Sequence, residues 1–102
     1  MAEEINPLQL KKRLEDGEDI RLLDVREPYE YEEGHIENSV LIPVGELTER
    51  MEEIDEWKDE TIVAYCRTGQ RSAMAQQLLQ SNGFEEVFNL DGGIEAWEEE
   101  SG

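Results

Sequence analysis

Residues 61–72 read TIVAYCRTGQRS, and this stretch decides the fold because it leads from a strand through a short loop into a helix. Its first part is β-branched, aromatic or small in composition, which is typical of a strand. The segment from about residue 72 to 81 is predicted as a helix, with Ala75, Leu78 and Leu79 on its inner face. A strand followed directly by a helix is the repeating unit of a parallel sheet.

The same alternation continues in both directions from this stretch. Asn6 is placed to cap a first helix, with Pro7 at its first helical position and Gln9 able to reach back to the cap. The other predicted elements are a strand at 20–25, a short helix at 28–33, a strand at 39–42, a helix at 45–54, a strand at 86–90 and a helix at 94–99. Such alternation predicts an α/β fold, a three-layer αβα sandwich around a mainly parallel sheet. Because 102 residues can enclose one core, we expect a single domain over residues 1–102.

The charge of the chain restricts its partners. It carries 27 acidic and nine basic residues, a net charge of −18, which argues against binding to nucleic acid or to an anionic membrane. Its apolar runs are shorter than the roughly 18 residues of a membrane span, and its N-terminus is acidic where a signal peptide would be basic. We therefore expect a soluble, cytoplasmic protein. A solvated surface, a salty cytoplasm and recognition of a basic partner all remain open as explanations of the acidity.

Cysteine usage limits the chemistry. Cys66 is the single cysteine, so the chain can form neither an internal disulfide nor a two-thiol redox cycle. The chain also has a single histidine, so a zinc site within it is disfavoured, and we expect neither a metal nor a cofactor. Any group bound covalently to Cys66 must therefore pass to an external acceptor.

The loop that begins with Cys66 has the features of an anion-binding site. It lies at the carboxyl end of a strand, where ligands bind in parallel sheets, and the amides of the following helix carry partial positive charge. Gly69 allows the backbone to curl so that its N–H groups converge, and Arg67 and Arg71 add positive charge. These features favour a nucleophilic thiolate over a small buried hydrophobic residue. We predict Cys66 as the catalytic residue, with substrate bound by Arg67, Thr68, Gly69, Gln70 and Arg71.

Three motifs resemble the rhodanese homology domain, and together they cover nearly the whole chain. They are DVREPYEY at 24–31 with GHI at 34–36 and IP at 42–43, CRTGQRS at 66–72, and LDGGI at 90–94 with AW at 96–97. The resemblance implies a central parallel sheet, a small anionic donor such as thiosulfate, and a persulfide on Cys66. It also implies transfer of the sulfur to cyanide in assays, or to a thiol or protein acceptor in cells. Asn38-Ser39 stands where the family often has Gly-Ala, and asparagine tolerates positive φ.

Other residues of these motifs are interpreted as structural. Asp24 and Arg26 are expected to form polar contacts that fix neighbouring loops, and His35 to make a structural hydrogen bond rather than to donate a proton in catalysis. Gly92-Gly93 is predicted as a tight turn, and Trp97 as a core residue.

Two alternative functions remain. A cysteine phosphatase or arsenate reductase uses a similar loop, but it requires five residues between cysteine and arginine. Here four residues separate Cys66 from Arg71, and Ser72 occupies the position where the arginine would be needed. The second alternative, a sulfur carrier that does not turn over, needs the same persulfide and cannot be separated from an enzyme by sequence.

Overall fold

The fold is described from a computed structural model, which covers residues 3–101. The strands are β1 (Glu4–Ile5), β2 (Ile20–Asp24), β3 (Val40–Leu41), β4 (Thr61–Tyr65) and β5 (Glu86–Leu90). The α-helices are α1 (Pro7–Glu15), α2 (Pro28–Glu33), α3 (Leu47–Arg50), α4 (Gln70–Ser81) and α5 (Gly93–Ser101), and 3₁₀ turns cover Val44–Glu46 and Met51–Trp57. None of the helices within residues 3–101 is long and apolar enough to cross a membrane.

The five strands form one sheet in the order β1-β5-β4-β2-β3, and every neighbouring pair is parallel. Consecutive residues of each central strand enter different cores, because side chains alternate across a sheet. In β4, Ile62 packs with Ala75 and Leu79 of α4, whereas Val63 packs with Leu10 of α1 and Ile94 of α5. Helices thus cover both faces, and the predicted α/β sandwich is confirmed.

Local signals in the sequence are reproduced closely. The Asn6 side chain accepts a hydrogen bond from the Gln9 amide at 2.8 Å, and the Gln9 side chain accepts one from the Asn6 amide at 3.0 Å. Asn38 adopts a φ of 72°, as expected for a residue that tolerates the left-handed region. The predicted helix at 28–33 begins at Pro28 and ends before Gly34.

The segment predicted as a helix at 45–54 is instead broken. A 3₁₀ turn, the four-residue helix α3 and a second 3₁₀ turn follow one another, and Ile54 has non-helical angles (φ −119°, ψ 22°). Acidic side chains occupy much of this stretch at spacings of three and four, which destabilises a regular helix. The buried residues Leu47, Ile54 and Trp57 hold the irregular segment against the sheet.

Other bounds also differ from the prediction: β2 ends at Asp24 rather than at residue 25, and α5 covers Gly93–Ser101 rather than 94–99. Strand β1 was not predicted, because a two-residue strand has no periodicity to detect, and its pairing with β5 depends on residues more than 80 positions away. Strand β3 is shorter than the predicted 39–42, and α4 begins at Gln70 rather than near Ser72. The earlier start of α4 brings the first turn of that helix into the loop.

Candidate active site

Cys66 follows the last residue of β4 and is almost completely buried, with 1% of its surface exposed. The Gly69 amide donates a hydrogen bond to its Sγ atom at 3.0 Å, and the Ser72 hydroxyl lies 3.4 Å from the same sulfur. The loop and the first turn of α4 therefore wrap around the sulfur, as the sequence predicted for the amides.

The backbone at Gly69 permits this shape. Gly69 immediately precedes α4 with a φ of 118°, a region that side chains with a Cβ rarely adopt. The Asn89 side chain donates to the Gly69 carbonyl at 3.1 Å and accepts a hydrogen bond from the Ser72 hydroxyl at 2.5 Å. Asn89, the residue before the last one of β5, thus fixes both the loop and the hydroxyl that faces the sulfur.

The surroundings of Cys66 favour the thiolate. Burial raises the pKa of the thiol, but hydrogen bonds from the Ser72 hydroxyl and from the amides of Ser72, Gly69 and Thr68 outweigh it. The net effect is a pKa below the ordinary value of a cysteine. Donors aimed at a buried sulfur stabilise a negative charge there, which is one condition for a reactive cysteine, and access of a reagent to the sulfur is the other.

The two loop arginines are engaged by a carboxylate. Arg71 forms a two-point ion pair with Glu30, with N–O distances of 2.8 and 3.0 Å, and the Arg67 Nε atom lies 3.5 Å from the same carboxylate. The hydrogen bond from Arg71 lowers the pKa of Glu30 to about 2, although burial opposes this. The positive charge expected at the loop is therefore partly neutralised, and hydrogen bonds are the leading cause of the lowered Cys66 pKa.

Arg71 nevertheless keeps capacity to bind an anion. A guanidinium has five N–H groups, and the pair with Glu30 uses one on each terminal nitrogen. The hydrogen bond to Glu30 is the main cause of the raised pKa of Arg71, burial opposes it, and attraction to the Cys66 sulfur adds a smaller contribution. Arg67, Thr68 and Gln70 are exposed at the rim of the loop.

The other side of the loop rests on α5. The Ile94 amide donates to the Cys66 carbonyl at 2.9 Å, and the Glu95 amide donates to the Arg67 carbonyl at 3.2 Å. Gly93 has a φ of 63°, and a Cβ there would overlap the Arg67 carbonyl. The predicted Gly-Gly turn is present, and its reason is this close approach of α5 to the loop.

The end of β4 is held from the opposite face of the sheet. Tyr65 is fully buried, its hydroxyl accepts a hydrogen bond from the Ile36 amide at 3.1 Å, and it lies 2.8 Å from the Ser39 hydroxyl. Burial, the largest effect, raises the pKa of Tyr65. Tyr65 belongs to the core beneath α1 and α5, whereas Cys66 belongs to the core beneath α4.

The remaining motif residues have structural contacts. Arg26 forms a buried ion pair with Asp24 at 2.7 Å and donates to the Gly34 carbonyl at 2.7 Å, which ties α2 to the end of β2 as expected. His35 makes a hydrogen bond with the Tyr31 carbonyl through Nδ1 at 2.9 Å. Trp97 is partly buried against the core beneath α1 and α5. Within residues 3–101, no three His, Cys, Asp or Glu side chains cluster as metal ligands would.

Sequence reasoning missed three residues of this site: Ser72, Glu30 and Asn89. The sequence placed Ser72 in the loop motif but gave it no contact with the sulfur. Its hydroxyl reaches the Cys66 sulfur because α4 starts at Gln70, so that Ser72 lies in the first turn of the helix. Glu30 contacts Arg71 across 41 positions, and Asn89 contacts Ser72 across 17, so no local pattern indicates either contact.

Comparison with known proteins agrees with the geometry. The model of the rhodanese-like domain family matches residues 6–100. A sulfurtransferase of Allochromatium vinosum is 42% identical over 95% of this chain and 89% of its own length. The putative sulfur carrier protein YrkF of Bacillus subtilis is 37% identical over 92% of this chain, which spans 50% of that protein. The crystal structure of a rhodanese-related protein from Thermoplasma volcanium superimposes with a TM-score of 0.85 at 35% identity, covering 96% of this chain and 92% of that one.

Proposed function

The chain belongs to the rhodanese-like domain family, and from this premise we propose that it transfers a sulfane sulfur through a persulfide on Cys66. Sulfur transfer is the activity that the family relationship supports. The proposed donor is a small anion of the thiosulfate type, and the acceptor is cyanide in assays or a thiol in the cell. The observation that carries the proposal is the Cys66 sulfur held by the Gly69 amide and the Ser72 hydroxyl, with a lowered pKa.

The proposed reaction has two halves. The Cys66 thiolate attacks the outer sulfur of thiosulfate, a bond forms between Sγ and that sulfur, and the bond to the sulfonate sulfur breaks. The electron pair of the broken bond leaves with sulfite. In the second half a nucleophilic acceptor attacks the terminal sulfur, the Sγ–S bond breaks, and the thiolate is restored. The transferred sulfur stays covalently bound to Cys66 after the first half and until the second, so the reaction is a ping-pong cycle.

The donors around the sulfur explain how such an intermediate would be kept. A terminal persulfide sulfur is anionic, and the amides of Thr68, Gly69 and Ser72 supply N–H groups without needing a bound cation. The unused N–H groups of Arg71 are suited to the sulfonate oxygens of the donor. Because Cys66 is buried, a donor must enter between the exposed rim residues, which favours small substrates.

Mass spectrometry of the intact protein tests the proposal. After incubation with thiosulfate and removal of excess reagent, the wild type should gain the mass of one sulfur atom and lose it on addition of cyanide. Cys66→Ser is the control and should gain nothing. A wild-type mass that stays unchanged with every sulfane donor would exclude both an enzyme and a carrier.

A sulfur carrier without turnover is the second candidate. The almost complete burial of Cys66 favours delivery to a fitted acceptor, and one relative is named a putative sulfur carrier protein. Thiocyanate formation distinguishes the two: many equivalents per protein indicate an enzyme, and a single equivalent indicates a carrier. Phosphate release from an aryl phosphate, measured alongside, tests the phosphatase alternative, which the engagement of Arg71 by Glu30 disfavours.

A further inference from the structure

A groove of about 650 Å³ lies along β2, away from the loop of Cys66. Its floor is the first part of β2, from Ile20 to Leu22, and its walls come from both helical layers. Trp97 of α5 lies on one side, and Trp57 lies on the other. The groove therefore opens at the edge of the sheet, between the two layers that cover its faces.

The edge of β2 is free of a neighbouring strand at this groove. All of Ile20–Asp24 pairs with β4, but β3 pairs only with Leu23 and Asp24. Among the strands that the structure describes within residues 3–101, none covers the outer edge from Ile20 to Leu22. Backbone groups that lie unpaired along an edge are a template for an added strand.

Hydrogen bonds at the end of β2 show which backbone groups face the groove. The Val25 amide donates to the Tyr65 carbonyl on the β4 side, and the Ile42 amide donates to the Asp24 carbonyl on the opposite side. In a parallel strand, alternate residues direct their backbone groups to alternate neighbours. Ile20 and Leu22 therefore share the direction of Asp24, and the Ile20 N–H and C=O and the Leu22 N–H point to the open edge.

The charges at the groove select the partner. Glu18, Asp19 and Glu37 line it and are exposed. Its one arginine, Arg21, is held by Glu60 at 2.7 Å, and Glu18 is paired with Arg13, whereas Asp19 and Glu37 form no ion pair with the residues of 3–101. A second copy of this chain carries the same net charge of −18 and would be repelled. The complementary occupant is an extended segment rich in lysine or arginine.

We propose that this groove binds a basic, extended segment of another protein as an added strand beside β2. The strand's backbone pairs with Ile20 and Leu22, its basic side chains meet Asp19 and Glu37, and alternate apolar side chains contact Val40, which is 40% exposed. The binding requires nothing of Cys66, so it stands independently of the proposed sulfur transfer.

The two tryptophans provide the readout, because both tryptophans of the chain line the groove. A capped peptide of alternating lysine and valine, titrated into Cys66→Ser protein at low salt, should change the intrinsic fluorescence with saturation. The same peptide with alternate backbone nitrogens methylated keeps its charge but loses the strand hydrogen bonds, and it should bind about tenfold more weakly or worse. A glutamate–valine peptide should not bind.

Charge-reversed variants separate the groove from the general acidity of the surface. Asp19→Lys with Glu37→Lys should weaken binding about tenfold, because two exposed attractions become repulsions. The control, Glu49→Lys with Glu52→Lys, has the same net charge but changes exposed residues outside the groove and should bind like the parent. Equal losses in the two pairs would overturn the proposal.

Amide hydrogen exchange on the bound protein gives the most specific result. The peptide should slow exchange at Ile20 and Leu22, whose N–H groups face the groove. The backbone N–H of Arg21 faces β4, so its exchange rate should not change when the peptide binds. Unchanged exchange at both Ile20 and Leu22, or equally tight binding of the methylated peptide, would show that only charge attraction is present and would refute strand addition.

Discussion

Replacing Ser72 with alanine removes a hydroxyl that lies 3.4 Å from the Cys66 sulfur and leaves the amide donors in place. A hydrogen bond to a charged group contributes about 1.5–3 kcal/mol, and each 1.4 kcal/mol or so is a factor of ten in an equilibrium. The Ser72 hydroxyl has a single hydrogen, which it shares between the sulfur and the Asn89 side chain. The lower end of the range therefore applies, and the thiolate population should fall about tenfold at pH values below the pKa of the thiol.

Alkylation by iodoacetamide, followed from mildly acidic to alkaline pH, measures this effect directly. The variant should react about tenfold more slowly on the acidic side, because the pKa of its thiol is raised. At alkaline pH both thiols are ionised, and the two rates should converge, with the variant equal or modestly faster since a more basic thiolate is more nucleophilic.

Ser81→Ala is the matched control, since this serine lies at the exposed end of the same helix, α4, and its variant should follow the wild-type profile. The thermal unfolding of each variant should be measured as well, because Ser72→Ala leaves the side-chain Oδ1 atom of Asn89 without the hydrogen bond that it accepts from Ser72. If the pH profiles of Ser72→Ala and wild type coincide while the protein stays folded, the hydroxyl does not stabilise the thiolate and the reasoning is wrong.

Three other predictions concern residues in the loop or in contact with it. Glu30→Gln should lower the free energy of unfolding by about 3 kcal/mol at neutral pH, because Arg71 lowers the pKa of Glu30 from 4.5 to about 2. Denaturation experiments at several pH values should show the full difference between variant and wild type above pH 4.5. The difference should disappear as the pH falls toward 2. Gly93→Ala should destabilise the protein by at least about 2 kcal/mol more than Gly17→Ala in urea unfolding, since both have positive φ but only Gly93 has a backbone carbonyl where the Cβ would lie. Arg71→Ala should reduce kcat/KM for thiosulfate about tenfold to a hundredfold in steady-state assays.

Each of these three predictions would be contradicted by a different result. A stability difference for Glu30→Gln that persists unchanged at the acidic end would show that the loss comes from packing rather than from ionisation. Equal losses for the two glycine variants would mean that α5 moves aside without cost. Unaltered kinetics in Arg71→Ala would show that Glu30 occupies this guanidinium throughout the reaction. Arg50→Ala, which removes a partly exposed arginine paired with Glu46 and Glu53, is the control for general charge effects.

The parts of this structure that could be predicted from the sequence are those specified by neighbouring residues. The cap at Asn6, the turn at Asn38 and the strand at Thr61–Tyr65 depend on side chains a few positions apart, and each is where the pattern placed it. The position of Cys66 at the carboxyl edge of the sheet follows from strand order in the same way.

The electrostatics of the site could not be predicted, because they depend on contacts between distant segments. From the sequence, Arg67 and Arg71 indicated a strongly positive loop, but α2 brings Glu30 between them from 41 positions away. The stabilisation of the thiolate thereby rests chiefly on Ser72 and the loop amides. A sequence pattern supplies the charges of a site, whereas the tertiary fold decides which of them are already neutralised.

Tyr65 and Cys66 are consecutive residues that serve opposite faces of the sheet, so the length of β4 is itself part of the chemistry. Removing or adding a single codon within this strand would turn the phenol toward the loop and the sulfur toward the far core. Point substitutions among the exposed rim residues leave that alignment intact. We therefore expect a one-residue insertion or deletion within β4 to displace Cys66 from the loop, which no substitution at the rim would do.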